Sequence, residues 1–393
     1  MTERTLPGEP GGSTPPGSPE QLPAPRLLLA GVDVVVTTDD DVLVLEVNDH
    51  PGVLREPAGP RGDPPVLAAL ADALAARAGS DPCLITLPEC FRLSPPGPSR
   101  AAVTVAPESR LVGDFERSEA ALGDLSALLL LLHERGVDAH LADRPAAETY
   151  LARRGTARTL VFDRLPGAPA GPGTEVLNAP GARNLCGDKA TTARLLTAAA
   201  VPVVPCLDLA DLVRTGTPSG YVVTKPRVGA AGNGVERHRI AALRSRAQPP
   251  ETGPDRIAQP WMDLRRTSDD TSGGPPHRFD LRVLVVGGHA RAVLARRAGA
   301  PADLQEGEPL LTWLTITGRR EPLWIDGTAT AAAHRYLDDD LLRRALTVAQ
   351  DAVRALDRAL PTGATDTAAH HGFARHNGVS GALDTVTATP LPH

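Results

Sequence analysis

The stretch GVDVVVTTDDDVLVLEVNDHPG, residues 31–52, decides how this chain is read. Two β-branched and apolar runs, Val32–Thr37 and Val42–Val47, flank a polar turn at Thr38-Asp39-Asp40-Asp41. A hairpin centred between Asp39 and Asp40 sets Thr37 opposite Val42, Val35 opposite Val44, and Asp33 opposite Glu46. The two-residue period of a strand then gathers Asp33, Glu46 and Asn48 on one face and Leu43, Leu45 and Val47 on the other. Two carboxylates directly opposite each other repel. A divalent cation reverses that sign. Two carboxylates and an amide oxygen are a hard-oxygen set that suits Mg²⁺ held together with phosphate oxygens. The other reading, an exposed hairpin with solvated acids, accounts less well for the alternation of the apolar face.

A second signal is compositional. The chain has 41 basic residues, of which only Lys189 and Lys225 are lysines, leaving 39 arginines. Coding bias from a GC-rich genome explains many arginines, and lysines that survive it mark places where a planar fork will not serve as a compact point charge. Lys225 ends the strand-like run Tyr221–Lys225, and Pro226 and the Gly-rich segment holding Gly229, Gly232 and Gly234 follow at once. Glycines let backbone N–H groups approach phosphate, and the lysine adds a full charge. No GK[ST] occurs, so this is not a Walker A loop. Asp188 is a helix N-cap candidate and places Lys189 in the first turn, where it opposes the helix dipole unless an anion lies nearby. Further on, Ile257-Ala258-Gln259-Pro260-Trp261-Met262 reads as a strand running into an apolar linker suited to a flat base. Asp280 and Arg282 share one face of the strand Phe279–Val286. Arg282, Arg296 and Arg297 can bind phosphate or a carboxylate; a surface ion-pair ladder is the alternative for them.

The rest of the chain alternates strands and helices, which indicates α/β or α+β layers. Strands are also expected at Cys83–Leu87, Ala102–Val105, Thr159–Phe162, Arg256–Gln259 and Ala290–Arg296. Helices are expected at Pro64–Ala78, Glu119–Arg135, Ala146–Arg154, Asp188–Ala200, Leu207–Thr215 and Asp338–Leu360. The 393 residues carry a net charge of −6 with no basic block, so nucleic acid is not expected as a partner. The longest apolar run, Ala127–Leu132, is far too short for a membrane span. The first 25 residues lack the apolar core of a signal peptide. Cys83, Cys90, Cys186 and Cys206 have no CxxC spacing and read as thiols in a reducing cytoplasm. Residues 1–25 and 361–393 are expected to be disordered polar tails.

Taken together, these motifs resemble the ATP-grasp superfamily of carboxylate–amine and carboxylate–thiol ligases. The resemblance rests on Asn178 before Asp188-Lys189, on Lys225-Pro226 before Gly229, Gly232 and Gly234, on Gln259 in the hinge, on Asp280-x-Arg282, and on Asp33 with Glu46-x-Asn48. It covers about residues 27–56 and 178–360. In the family the metal-binding strand pair comes last; here it comes first, as in a circularly permuted member. The resemblance implies two lobes sandwiching ATP, with a Rossmann-like pre-ATP-grasp domain. Residues 26–57 would be the permuted C-terminal strands of the ATP-grasp lobe, 58–178 the pre-ATP-grasp-like domain, 179–260 the ATP-grasp N-terminal lobe and 261–360 its C-terminal lobe. It further implies ATP and Mg²⁺ as cofactors, with Lys189, Lys225, Gly229, Gly232, Gly234, Gln259 and Met262 on the nucleotide. Asp33, Glu46 and Asn48 would hold the metal, and Arg282 and Arg296 would serve catalysis. The substrates would be a small carboxylate and an amine in the cytoplasm, and a homodimer is allowed. A kinase-like ATP-grasp protein, a non-catalytic nucleotide-binding module, and a hairpin that completes a neighbouring chain's site remain as alternatives.

Overall fold

The computed structural model describes residues 25–51, 65–87, 91–93, 103–105, 124–164, 171–229, 234–245, 253, 255–267, 277–297 and 320–361. Gly232, Cys90 and nearly all of both tails lie outside these residues.

The first two strands, β1 (Leu29–Val36) and β2 (Val42–Asn48), form the expected hairpin. Asp33 pairs with Glu46 and Gly31 with Asn48. The register near the turn differs from the expectation: Val36 pairs with Val42, Val35 with Leu43, and Val34 with Val44. The connection is one residue longer than a turn centred on Asp39 and Asp40. Thr37 closes it by donating from its N–H to the Asp41 carbonyl at 2.9 Å, and Asp40 takes φ 66°, in the left-handed region. A bulge beside Asp33–Val34 absorbs the extra residue, so Asp33 still meets Glu46. The bulge also corrects the expected faces. Val42, Val44 and Val47 enter the core, whereas Leu43 and Leu45 are half-buried.

Every residue of β1 is buried, because it lies between β13 and β2 in a seven-stranded sheet with helices packed on it. The sheet runs β16-β15-β14-β13-β1-β2, with β12 (Arg266–Thr267) also on β13. Its other strands are β13 (His277–Val286), β14 (His289–Arg297), β15 (Arg320–Ile325) and β16 (Thr328–Ala329). The chain's early strand therefore pairs antiparallel with one about 250 residues later, Asp33 opposite Arg282.

The helix α9 (Asp339–Ala359) covers one face of this sheet. It is capped by Asp338, whose carboxylate accepts from Leu341 N–H at 2.9 Å. Its buried stripe of Leu341, Leu342, Ala345, Ala349, Ala352, Val353 and Leu356 follows the 3.6-residue period and lies on Val32, Val34, Val283 and Val293. Each aliphatic side chain so buried contributes about 1.5–3 kcal/mol. The same core takes in α4 (Pro180–Gly187) and α5 (Lys189–Ala198). The two described ends of the chain meet here. The backbone N–H groups of Arg26 and Leu27 donate to Asp357 Oδ1 at 2.7 and 2.6 Å.

On the opposite face, α1 (Pro65–Ala78) and α2 (residues 124–134) pack under one end of the sheet. They also cover a four-stranded parallel sheet, β6-β3-β7-β8, built from β3 (Cys83–Thr86), β6 (Ala139–Ala142), β7 (Thr159–Phe162) and β8 (Thr174–Leu177). Its far side takes α3 (Arg144–Arg154). A short ribbon pairs β4 (Phe91–Leu93) with β5 (Val103–Val105). A third, smaller sheet runs β10-β9-β11, from β9 (Tyr221–Pro226), β10 (Glu236–Arg239) and β11 (Arg256–Pro260). It carries α6 (Leu209–Thr215) and α7 (Ile240–Arg244) on a core of its own. The last short helix, α8 (Ala333–Tyr336), packs near β15.

The segment 201–208 ties the small sheet to the large one. Val44 and Val203 form a parallel bridge, and Leu207 and Ala258 an antiparallel one. The linker after β11 is held to the hairpin turn, with Thr38 N–H donating to the Asp263 carbonyl at 2.9 Å and Arg265 N–H to the Val36 carbonyl at 2.8 Å.

Candidate active site

The half of the large sheet not covered by α1 carries charge instead of apolar side chains. Asp33, 1 % exposed, accepts Arg282 Nε and Nη2 at 2.8 and 2.9 Å and Arg296 Nη2 at 2.9 Å. Arg296 in turn grips Asp280 in a two-pronged pair at 2.7 and 2.5 Å. The register explains the chain of contacts, since Asp33 faces Arg282 and Asp280 faces Arg296 across adjacent strands. Burial works to raise the Asp33 carboxyl, but Arg296 and Arg282 outweigh it and hold the group well below the usual carboxylate range. Burial outweighs the pull of Arg296 on Asp280 and pushes its carboxyl up.

Lys225 lies at the end of β9, buried at 5 % exposure. Burial lowers its ammonium from the ordinary value, Lys189 adds to that, and Glu46 and Asp33 oppose it. These couplings bring together residues from β2, α5, β9 and β1. Glu46 and Lys189 also line one crevice between β2 and α5. The helix start at Lys189 is capped as the sequence indicates, with Asp188 Oδ1 accepting from Ala190 and Thr191 N–H, each at 3.1 Å. Arg227 binds the same carboxylate at 2.8 and 2.6 Å. Lys189 Nζ donates to the Gly229 carbonyl, which ties the root of the glycine loop to the helix. Gly234 closes the loop at φ +69°, where a Cβ would come 3.0 Å from Pro226 Cγ, so a side chain there is doubly disfavoured.

Gln259 is buried. Its amide donates to the Val204 carbonyl at 3.2 Å and to Cys206 Sγ at 3.5 Å, so it fastens β11 to the segment 201–208. Met262 is half-buried in the linker that joins the two sheets. Asn178, which the motif reading took as part of the segment before Asp188-Lys189, is a structural pin. Its side chain accepts from Leu29 N–H at 3.0 Å and donates to the carbonyls of Leu29 and Asp49 at 2.8 and 2.6 Å.

The donor set can be tested for Mg²⁺. Glu46 and Asn48 are neighbouring oxygen donors on β2, with Asn48 Nδ2 3.5 Å from Glu46 Oε1. Both oxygens of Asp33 are held, so it joins the set only if Arg282 swings to another anion. Among the described residues, no group of three or more His, Cys, Asp or Glu side chains is placed to hold a metal. Mg²⁺ needs only one or two carboxylates when phosphate and water complete its shell. Glu46 and Asn48 fit it on those terms.

The sequence reading missed a second polar cluster just past β2. His50 Nδ1 is 2.5 Å from Asp49 Oδ2, and its Nε2 is 2.8 Å from the Asp163 carbonyl. Burial works to raise Asp49, but His50 and then Arg183 hold its carboxyl below the usual range. Arg164 donates to the Pro51 carbonyl at 3.1 Å, and burial lowers its guanidinium against the pull of Asp49 and Asp163. The only local signal was the pair Asp49-His50 directly after the Glu-x-Asn motif.

No protein-family model matches the chain, and no curated protein does. One solved structure it is similar to is reported as a "Putative gamma-glutamylcysteine synthetase" from Methylobacillus flagellatus KT, at 14% identity and TM-score 0.49, covering 85% of this chain and 89% of that one. Another is the D-cycloserine synthetase DcsG, at 19% identity and TM-score 0.33, covering 57% of this chain and 72% of that one. Likenesses at these scores carry no argument about the reaction, which rests on the residues above.

Proposed function

We propose that this chain is an ATP- and Mg²⁺-dependent carboxylate–amine ligase of the ATP-grasp type, circularly permuted, which makes an amide or peptide bond with a small amino-acid-like substrate. One observation carries the reading: the N-terminal hairpin pairs beside β13, Glu46 of that hairpin lines a crevice with Lys189, and its charge reaches the buried Lys225. A buried lysine is costly unless an anion meets it. Here the chain's only two lysines converge on one acidic strand and one glycine loop.

In this reading Lys189 and Lys225 hold the phosphates, and Gly229, Gly232 and Gly234 shape the loop over them. Gln259 and Met262 belong to the wall against the base. Glu46 and Asn48 hold Mg²⁺, which when bound neutralises phosphate charge. A phosphate or acyl phosphate would draw Arg282 toward itself, with Arg296 lending its charge from beside Asp280, and Asp33, once released by Arg282, would join the residues that would hold Mg²⁺. The γ-phosphate passes to the substrate carboxylate, ADP leaves, and the amine displaces phosphate from the acyl phosphate. The residues act by positioning and by charge stabilisation in a site closed to water.

The permutation is supported by the meeting of Arg26 and Leu27 with Asp357. Ends this close can be joined and the chain opened elsewhere at small cost.

The test is phosphate and ADP release with ATP and Mg²⁺ across pairs of amino acids. Lys225→Ala and Glu46→Gln are expected to abolish substrate-dependent ADP formation in folded protein, and unchanged turnover in both ends the proposal. An amide product distinguishes the ligase from a kinase-like enzyme, which leaves a stable phosphoester.

A further inference from the structure

Two chain segments cross from the small sheet to the large one beside β11. In the first, Trp261 N–H donates to the Tyr221 carbonyl at 3.2 Å, and the Trp261 carbonyl accepts from Ser219 Oγ at 2.9 Å, so Trp261 belongs with the small sheet. Shortly after it, the Asp263 carbonyl accepts from Thr38 N–H at 2.9 Å, which ties that residue to the large sheet. Between them, Met262 has no hydrogen bond to either sheet among the described residues. In the second crossing, Val204 N–H donates to the Val44 carbonyl and Leu207 N–H to the Ala258 carbonyl, each at 2.9 Å, with Pro205 and Cys206 between. Hinges form at such short stretches, where a few loop residues absorb the change in backbone angle. One side chain spans the first crossing. The Trp261 ring has the guanidinium of Arg237 5.1 Å from its centroid and that of Arg278 at 5.1 Å as well. Arg237 stands on β10, an edge strand of the small sheet, and also lies 4.7 Å over Tyr221. Arg278 stands on β13 of the large sheet and is 7 % exposed. Tyr221, Arg237, Trp261 and Arg278 therefore alternate ring and cation from one sheet to the other. Indole is the best of the aromatic faces for a cation, and exclusion of water strengthens the contact.

We propose that Trp261 is a positioning residue: its contact with Arg278 sets the angle of the small sheet over the large one, with Met262 as the pivot. Lys225 stands on β9 of the small sheet and Glu46 on β2 of the large one, so that angle fixes how the two face a shared ligand. Arg237 acts through the ring, by holding it to the small sheet. The inference deepens the ligase reading, and its effect on turnover rests on that reading. A ligand that needs both sheets binds in proportion to the fraction of chains in the competent arrangement. A cation–π contact of a buried guanidinium is worth a factor on the order of 5–30 in that fraction.

The experiment follows amide hydrogen exchange and ADP formation in the full chain. Lys189 N–H donates to the Arg227 carbonyl at 3.0 Å, beyond the end of β9 that lies away from Trp261, and a swing of the small sheet breaks that bond. In Trp261→Leu, exchange at Lys189 is expected to rise on the order of 5–30-fold in the free protein, although the substitution lies at the opposite end of the sheet. Trp261→Phe keeps a weaker aromatic face and should fall between. Arg237→Gln loosens the ring from one side and should give a smaller rise; it carries the test should Trp261→Leu fail to fold. The KM for ATP should rise by the same factor in each variant, with kcat within about 2-fold of the wild type at saturating ATP. Wild-type exchange at Lys189 in both Trp261→Leu and Arg237→Gln overturns the proposal. An equal rise across β3 and β13 overturns it too, because that is general loosening. A wild type that forms no ADP with any substrate pair sinks the ligase reading instead, and exchange at Lys189 then still decides the role of Trp261.

Discussion

Replacing Asp33 with asparagine tests the charge arithmetic of the large sheet. The carboxylate is 1 % exposed and meets Arg282 at 2.8 and 2.9 Å and Arg296 at 2.9 Å. Two unit charges about 4 Å apart attract by about 4 kcal/mol at an effective dielectric of about 20. Two such pairs give about 8 kcal/mol of attraction. Against it stand the burial of the carboxylate and its repulsion from Asp280. Arg296 keeps Asp280 in the variant, Arg282 loses its only described carboxylate partner, and the amide oxygen retains one acceptor. The net loss should fall at about 3–5 kcal/mol, the usual range for breaking a buried pair. Urea unfolding near neutral pH should show a lower midpoint at unchanged slope. The pH dependence has a definite sign. Asp33 is held below its ordinary value of 3.8 in the folded state, so its stabilisation is complete above that value and is lost as pH falls below it. The gap between wild type and variant should therefore hold from neutral pH to about 4 and shrink below. A loss under about 1 kcal/mol, or a gap that grows in acid, would refute the account of the Arg282–Asp33–Arg296 chain.

Three further substitutions probe other links. Lys225→Met removes a cation that burial disfavours, so thermal melts should show stability unchanged or raised by about 1 kcal/mol while substrate-dependent ADP formation is lost. Asn178→Ala orphans the Leu29 N–H and the carbonyls of Leu29 and Asp49; a loss of about 2–4 kcal/mol is expected, with faster hydrogen exchange in β1. Asp188→Ala uncaps α5 and should cost about 1–2 kcal/mol in urea unfolding. Its pair with Arg227 adds little, since that side chain is 42% exposed.

The main elements were legible because their patterns are local. The strand period marked β1 and β2, and the apolar stripe marked the helix 339–359. The Asp188 cap was readable for the same reason. The helix α4 went unseen because Pro180-Gly181 interrupts the sequence pattern just where the helix begins, the two-residue strands β12 and β16 are too brief to show a period, and β15 carries Arg320, Glu321 and Pro322 in its first half. The face of β2 was misread because a bulge leaves no mark in composition, and one extra residue inverts the side-chain phase.

What the sequence determined by itself was the inventory: a strand pair presenting Asp33 against Glu46, two lysines at a helix start and a strand end, and a glycine-rich segment directly after the second lysine. These follow from spacing along the chain, which fixes the neighbours of each residue within a turn or a hairpin. Only the tertiary structure decided that β1 lies against β13, that both oxygens of Asp33 are held by arginines, and that residues 26 and 357 meet. Those contacts join segments more than a hundred residues apart. Which segments come together depends on how the covering helices and sheets share the core, and no local period records it.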